Sequence, residues 1–229
     1  MRCHALTLCL SLVTAPILAD PVAVDEGLGS SPRPVKRDVY LPPAKWDFHP
    51  KGVVWTRATL QALEQHGRPL VRTVPGDIAT WCPAYPANGP KQRAAFWNGF
   101  ISSLVKYEST YKPRAVGGGG RWFGLTQILP GTARSYGCRA GTGETLKNGP
   151  ANLSCAVRIM AKTVLRDGVV ARKNGRRAGV GADWGPLSSR KKREEMAQFT
   201  RAQPYCRALP SGKRPIARPA LISAANPED

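Results

Sequence analysis

Of the side chains in this 229-residue sequence that could do acid–base chemistry, Glu108 is the best placed. It falls inside "LVKYESTYKP", residues 104–113, at the end of an apolar stripe formed by Trp97, Ile101, Leu104 and Val105 at spacings of three and four. The next position on that helical face is Glu108, so a glutamate stands where a leucine is expected. Two readings follow. In one, the helix has reached solvent and Glu108 is an ordinary terminal charge. In the other it is half-buried, and the helix macrodipole favours this reading, because a purely structural choice near a C-terminus is Lys or Arg rather than an acid.

A half-buried carboxyl holds its proton to higher pH, since desolvation penalises the charged form. That property suits a general acid protonating a glycosidic oxygen. Ordinary glycosidases need a second carboxylate roughly 5–10 Å away as nucleophile or base. After Glu108 the next acid is Glu144, and the 35 residues between them contain none.

The elements that must position Glu108 read as helices. "TRATLQALEQHG" carries Leu60 and Leu63 on one side with Gly67 as its stop, and "GDIATWCPAYP" is a helical turn broken by Pro83. "KQRAAFWNGFISSLVKYES" is the clearest element. "PGTARSYG" starts another, with Thr132 near its N-terminus. "ANLSCAVRIMAKTVLRDG" turns Leu153, Val157, Met160, Ala161 and Val164 inward, and "SRKKREEMAQFTRAQPYC" forms a last, polar-fronted helix. No internal repeat and no series of alternating strands is visible. The fold class expected is mainly α.

Residues 1–19, with Arg2, the stretch "ALTLCLSLVTAPILA" and the small residue Ala19, have the layout of a secretory signal peptide and are excluded from the fold. Residues 20–45 read as an extended leader rich in Pro, Gly and Ser. Residues 46–206 form the expected domain, and 207–229, with four prolines and no aromatic residue, a Pro-rich basic tail expected to be disordered. No later stretch approaches the roughly 20 apolar residues of a membrane helix. The expectation is an exported, periplasmic protein of a Gram-negative bacterium that is not a membrane protein.

Cys3 and Cys9 fall in the signal segment, leaving Cys82, Cys138, Cys155 and Cys206, an even number that favours disulfides in an exported chain. Three pairings are open; the reading favours Cys138–Cys155 and Cys82–Cys206. No C-x-x-C pair is present, and the remaining histidines, His49 and His66, are too scattered for a metal cluster, so neither metal nor cofactor is expected. The formal charge is +19, and loss of Arg2 leaves +18. Such a charge implies a polyanionic partner. For an exported chain that points to anionic cell-envelope polymers rather than nucleic acid.

Three further blocks carry a likeness. "ESTYKPRAV", "GLTQILPGTARSYG" and "LKNGPANLSCAVRIM", in this order and spacing, resemble the soluble lytic transglycosylase family over about residues 91–165. The resemblance implies a lysozyme-like domain that cleaves the MurNAc–GlcNAc bond of peptidoglycan glycan strands without water. Glu108 would protonate the leaving oxygen and then, as base, take the proton of the MurNAc C6 hydroxyl as that oxygen closes a 1,6-anhydro ring. With an internal nucleophile no second carboxylate is required. By the same resemblance Gln127 would line the cleft and bond substrate. Gly124 and Leu125 would let the backbone pass close to sugar and pack behind the acid, and Ser109 would support Glu108 or finish its helix. Thr126 stands where Met is usual, a change in the cleft surface. Asn152 reads as the cap of the following helix.

The family's late tyrosine block is missing as such. "GADWGPL" is the nearest candidate, with Trp184 as aromatic surface and Asp183 as an added carboxylate that would make hydrolysis possible again. The run Gly117 to Gly120 lacks the Gly-Lys-Ser/Thr ending of a phosphate cradle and reads as a loop over the cleft, where Arg121 and Trp122 could touch substrate. The competing functions are a lysozyme- or chitinase-type hydrolase on the same fold and a non-catalytic peptidoglycan-binding protein.

Overall fold

The computed structural model describes residues 41–207; the expected signal segment, all but five residues of the expected leader and all but the first residue of the expected tail lie outside the described residues. Nine α-helices are described: α1 Gly52–Glu64, α2 Arg68–Arg72, α3 Ile78–Trp81, α4 Pro90–Glu108, α5 Pro130–Ser135, α6 Gly143–Leu146, α7 Gly149–Asp167, α8 Val180–Asp183 and α9 Arg190–Ala202. Two small antiparallel hairpins interrupt them, β1 Val116–Gly117 with β2 Trp122–Phe123 and β3 Arg172–Lys173 with β4 Arg176–Arg177. The architecture is mainly α.

The core forms around α4. Pro90 starts this helix where a missing N–H costs nothing. Twelve consecutive residues, Ala94 to Val105, are buried, so α4 has no single wet face along that stretch. The expected stripe of Trp97, Ile101, Leu104 and Val105 is fully buried, as are Phe96 and Phe100. Trp81, Tyr85, Phe96, Trp97 and Phe100 meet edge to face with centroids 5.0–5.6 Å apart, the geometry ring quadrupoles favour. Trp97 Nε1 donates to the Tyr85 hydroxyl at 2.9 Å, and burial pushes that phenol up to about 12. Helices α1, α2 and α9 pack around α4, while α7 packs against α1 and α2.

Both favoured disulfides are formed. Cys82–Cys206 closes a separation of 124 residues and holds the end of the domain against α3, whereas Cys138–Cys155 spans 17 and ties the segment after α5 to α7.

The packed body begins earlier than residue 46. Ala44 is buried, Lys45 N donates to Ser102 Oγ at 2.8 Å, and the Tyr205 hydroxyl donates to Pro43 O at 3.2 Å. This contact exists because Gly99 is bare: a Cβ there would lie 2.0 Å from the Tyr205 hydroxyl. Helix α1 likewise starts at Gly52 rather than Thr56, because Trp55 is core, stacked on His49 and edge-on to Trp46.

Candidate active site

Glu108 is the last residue of α4, where the buried run gives way to the half-buried Lys106, Tyr107 and Glu108. Ser109 closes the helix, its N–H donating to Val105 O at 3.1 Å and its hydroxyl to the same oxygen at 3.4 Å. Of the two roles expected for Ser109, this geometry is that of finishing the helix. Thr110 and Tyr111 then take φ of 49° and 61°, left-handed values that ordinary side chains rarely adopt. Two such residues in succession turn the chain away from the helix axis immediately beyond the acid. Strain of this kind persists only where surrounding structure imposes it.

Burial lifts the Glu108 carboxyl from the ordinary carboxylate range to about 7, with the Lys192 ammonium pulling weakly the other way. Among the described residues it has no hydrogen-bond or ion-pair partner. Desolvation therefore dominates, and the group exchanges a proton near neutral pH as a general acid must.

Lys192 belongs to α9, which is fastened to the end of α4 by a small polar knot. Lys106 Nζ lies 3.1 Å from Glu195, and the Tyr107 hydroxyl donates to the same carboxylate oxygen. Lys106 and Lys192 approach the Tyr107 ring at 5.0 and 5.3 Å. These two donors hold the Glu195 carboxyl below its usual range, so it stays ionised and occupied. On the other side of the turn, Tyr111 meets Phe48 edge-on with centroids 5.0 Å apart, and Phe48 is 72% exposed. An exposed ring next to a strained turn is a surface on which a sugar ring can stack. Phe48, at the edge of the expected domain, and Tyr111, whose only signal is its position three residues after Glu108, carry no pattern in the sequence that marks them as candidates.

Much of the Gly-Leu-Thr-Gln block is buried support rather than surface. Gly124 is obligatory, with φ 82° and no room for a Cβ, which would meet Leu146 O at 2.1 Å and Asn152 Nδ2 at 2.3 Å. Leu125 and Thr126 are fully buried, so neither forms cleft surface. Thr126 donates to Asn152 Oδ1 through both its N–H and its hydroxyl, while Asn152 Nδ2 donates to Phe123 O at 3.0 Å and Leu146 O at 3.1 Å. Asn152 is thus a satisfied buried node inside α7. The cap is Asn148, whose side chain accepts from Ala151 N.

Gln127 is half-buried at a left-handed φ of 49°, and its amide nitrogen donates to Gly124 O at 2.9 Å and Ala115 O at 3.3 Å. Its amide nitrogen is spent on bracing the β1–β2 hairpin. The tip of that hairpin, Gly118 to Gly120, takes left-handed φ of 56°, 65° and 88°, with the Trp122 ring lying over Gly118, and Arg121 stacks on Trp122 at 5.3 Å while bonding Gly118 O. Arg121 and Trp122 are exposed.

Trp184 is buried, only 4% exposed, with Nε1 donating to Thr126 O at 2.9 Å. It offers no open aromatic face, and the expectation that it replaces the missing tyrosine as cleft surface is corrected to a supporting role under Thr126. Asp183 is exposed; partial burial raises its pKa, and the charges acting on it are Arg166, Asp167 and Arg177, not Glu108. Glu144 is held below the ordinary range by Lys147 and Arg114. No carboxylate among the described residues acts on Glu108, and no group of three or more His, Cys, Asp or Glu there could hold a metal ion.

Comparison with known proteins gives a consistent likeness. Residues 86–172 match the family model described as Transglycosylase SLT domain. No curated protein matches the chain. Among solved structures, the wild-type form 2 of Bd0314 DslA is 26% identical with a TM-score of 0.67, covering 74% of this chain and 100% of that one. Two glutamate-to-glutamine mutants of the same protein match with equal coverage and TM-score at 26% and 25% identity.

Proposed function

We propose that this chain, which carries a transglycosylase SLT domain on a mainly helical, lysozyme-like fold, cleaves the MurNAc–GlcNAc β-1,4 bond of peptidoglycan and leaves a 1,6-anhydro-MurNAc end. The observation that carries the reading is a half-buried Glu108 whose carboxyl is lifted to about 7 with no other carboxylate acting on it. The domain match supports a peptidoglycan-directed activity; the product and the catalytic role of Glu108 are the finer part of the proposal.

In this account the protonated Glu108 gives its proton to the bridging oxygen as the bond to MurNAc C1 breaks, and positive charge builds at that carbon. The resulting carboxylate then takes the proton of the MurNAc C6 hydroxyl as O6 bonds to C1. Both proton transfers use one group, which returns to its protonated state. An acid poised near neutral pH is suited to both directions. The exposed Phe48 ring and the Arg121–Trp122 pair would bear on sugar, while Leu125, Thr126, Asn152 and Trp184 are buried support. We further propose export to the periplasm as the setting in which this substrate is met.

A hydrolase would need a second carboxylate to activate water or bond C1, and the candidates Asp183 and Glu144 answer to other charges. Digestion of sacculi in isotopically labelled water tests the difference. The proposed reaction leaves the new glycan ends unlabelled, whereas a hydrolase places the label at C1, and an inert wall-binding protein releases nothing.

A further inference from the structure

A hollow of about 620 Å³ that Glu108 does not line lies between α1 and α7, lined by Gln61, Gln65, His66, Arg139, Arg158 and the Cys138–Cys155 disulfide. No acid lines it. Among the described residues neither guanidinium has an ion-pair or side-chain hydrogen-bond partner; other arginines, Arg57 and Arg176 for example, share this, but Arg139 and Arg158 line one hollow together. His66 Nε2 lies 2.9 Å from Ser154 O, so it carries the proton and donates. Burial keeps this imidazole below its ordinary range, and Arg158 and Arg139 push it further in the same direction. The hollow is therefore a concave space with two uncompensated fork-shaped donors.

Its size is that of a site for a small organic molecule rather than a single inorganic ion. Arginine forks match planar carboxylates bidentately. Gln61 lies in the last turn of α1 and Gln65 is its C-cap residue, and each amide can both donate to and accept from a peptide group. We propose that this hollow binds a short carboxylate-bearing peptide, with carboxylates on Arg139 and Arg158 and peptide groups on Gln61 and Gln65. The disulfide builds the site, because it fixes Cys138, next to Arg139, against the helix that carries Arg158. The identification of the ligand as a peptidoglycan stem peptide rests on the function proposed above; the oxyanion site does not.

The test is a calorimetric and NMR titration of the full chain with three probes: the tripeptide Ala-γ-Glu-diaminopimelate with free carboxyls, the same peptide fully amidated, and inorganic phosphate. The site predicts saturable binding of the free acid, with shifts centred on His66, Arg139 and Arg158, and binding weaker by about tenfold or more for the amidated peptide. R139Q and R158Q should each weaken the free acid by about tenfold at an unchanged melting temperature. Equal binding of the amidated peptide, wild-type binding by both variants, or tighter binding of phosphate than of the peptide would overturn the proposal. Cleavage of purified sacculi, in which the peptide is present, run beside the titration, separates the two claims. Its absence in the wild type sinks the function proposed for Glu108 and leaves the peptide site standing.

Discussion

The side-chain carbonyl of Asn152 accepts from both the backbone N–H and the hydroxyl of Thr126, at 2.9 and 2.7 Å, in a fully buried setting. The other end of the amide serves Phe123 O and Leu146 O, so one side chain holds α7, the end of α6 and the loop from Phe123 to Thr126. Asn152→Ala would strand several buried polar groups at once. The expected loss is about 2–4 kcal/mol, read as a shift of the urea midpoint at unchanged slope. A loss under about 0.5 kcal/mol would mean the node is dispensable.

Glu108 couples stability to pH with a sign opposite to that of an ordinary ion-paired carboxylate. The folded protein holds this proton up to about pH 7, against 4.5 for the ordinary group. Its contribution is therefore full below about pH 4.5 and is lost as pH rises through 7, where a charged carboxylate must stay buried. Glu108→Gln should be more stable than wild type by on the order of 2–3 kcal/mol at pH 8, with no comparable advantage at pH 4. Thermal melts of the two proteins at both pH values check this; equal melting at pH 8 would show that the carboxyl is not desolvated.

The same proton governs activity. If Glu108 is the acid, kcat/KM falls above about pH 7, as the free enzyme loses the proton that it must donate. Lys192 is the charge that lowers its affinity for that proton, so Lys192→Met should move the alkaline limb to higher pH while the acid keeps its place. A limb that stays put or moves down would assign the titration to another group.

The two disulfides should differ in weight. By loop-closure entropy the Cys82–Cys206 link, spanning 124 residues, is worth about 4–5 kcal/mol, and the Cys138–Cys155 link, spanning 17, about 3 kcal/mol. Paired Cys→Ala variants under oxidising conditions, compared by chemical denaturation, should rank in that order.

How much of this was legible in the sequence follows from the range of each interaction. The stripe leading from Trp97 to Glu108 is local, and its helical period announces both the buried face and the misplaced acid. The favoured cysteine pairing also survives folding. Roles fixed by partners distant in the chain were not legible. Trp184 reads as a surface aromatic until its Nε1 is seen bonded to Thr126 O, 58 residues away, and Asn152 looks like a cap because asparagine is a common one. Lys192 and Glu195 reach Glu108 and its neighbours only because α9 folds back across α4. The left-handed pair Thr110 and Tyr111 carries no glycine to betray it.

The central claim is that Glu108 cleaves the glycan by proton transfer to and from sugar alone. Mass spectrometry of the muropeptides released from purified sacculi by wild type and by Glu108→Gln tests it most directly. The account predicts products whose ends lack one water, the anhydro form, from wild type, and a fall of about a thousandfold or more in the variant. Reducing, fully hydrated ends, or undiminished release by the variant, would contradict it.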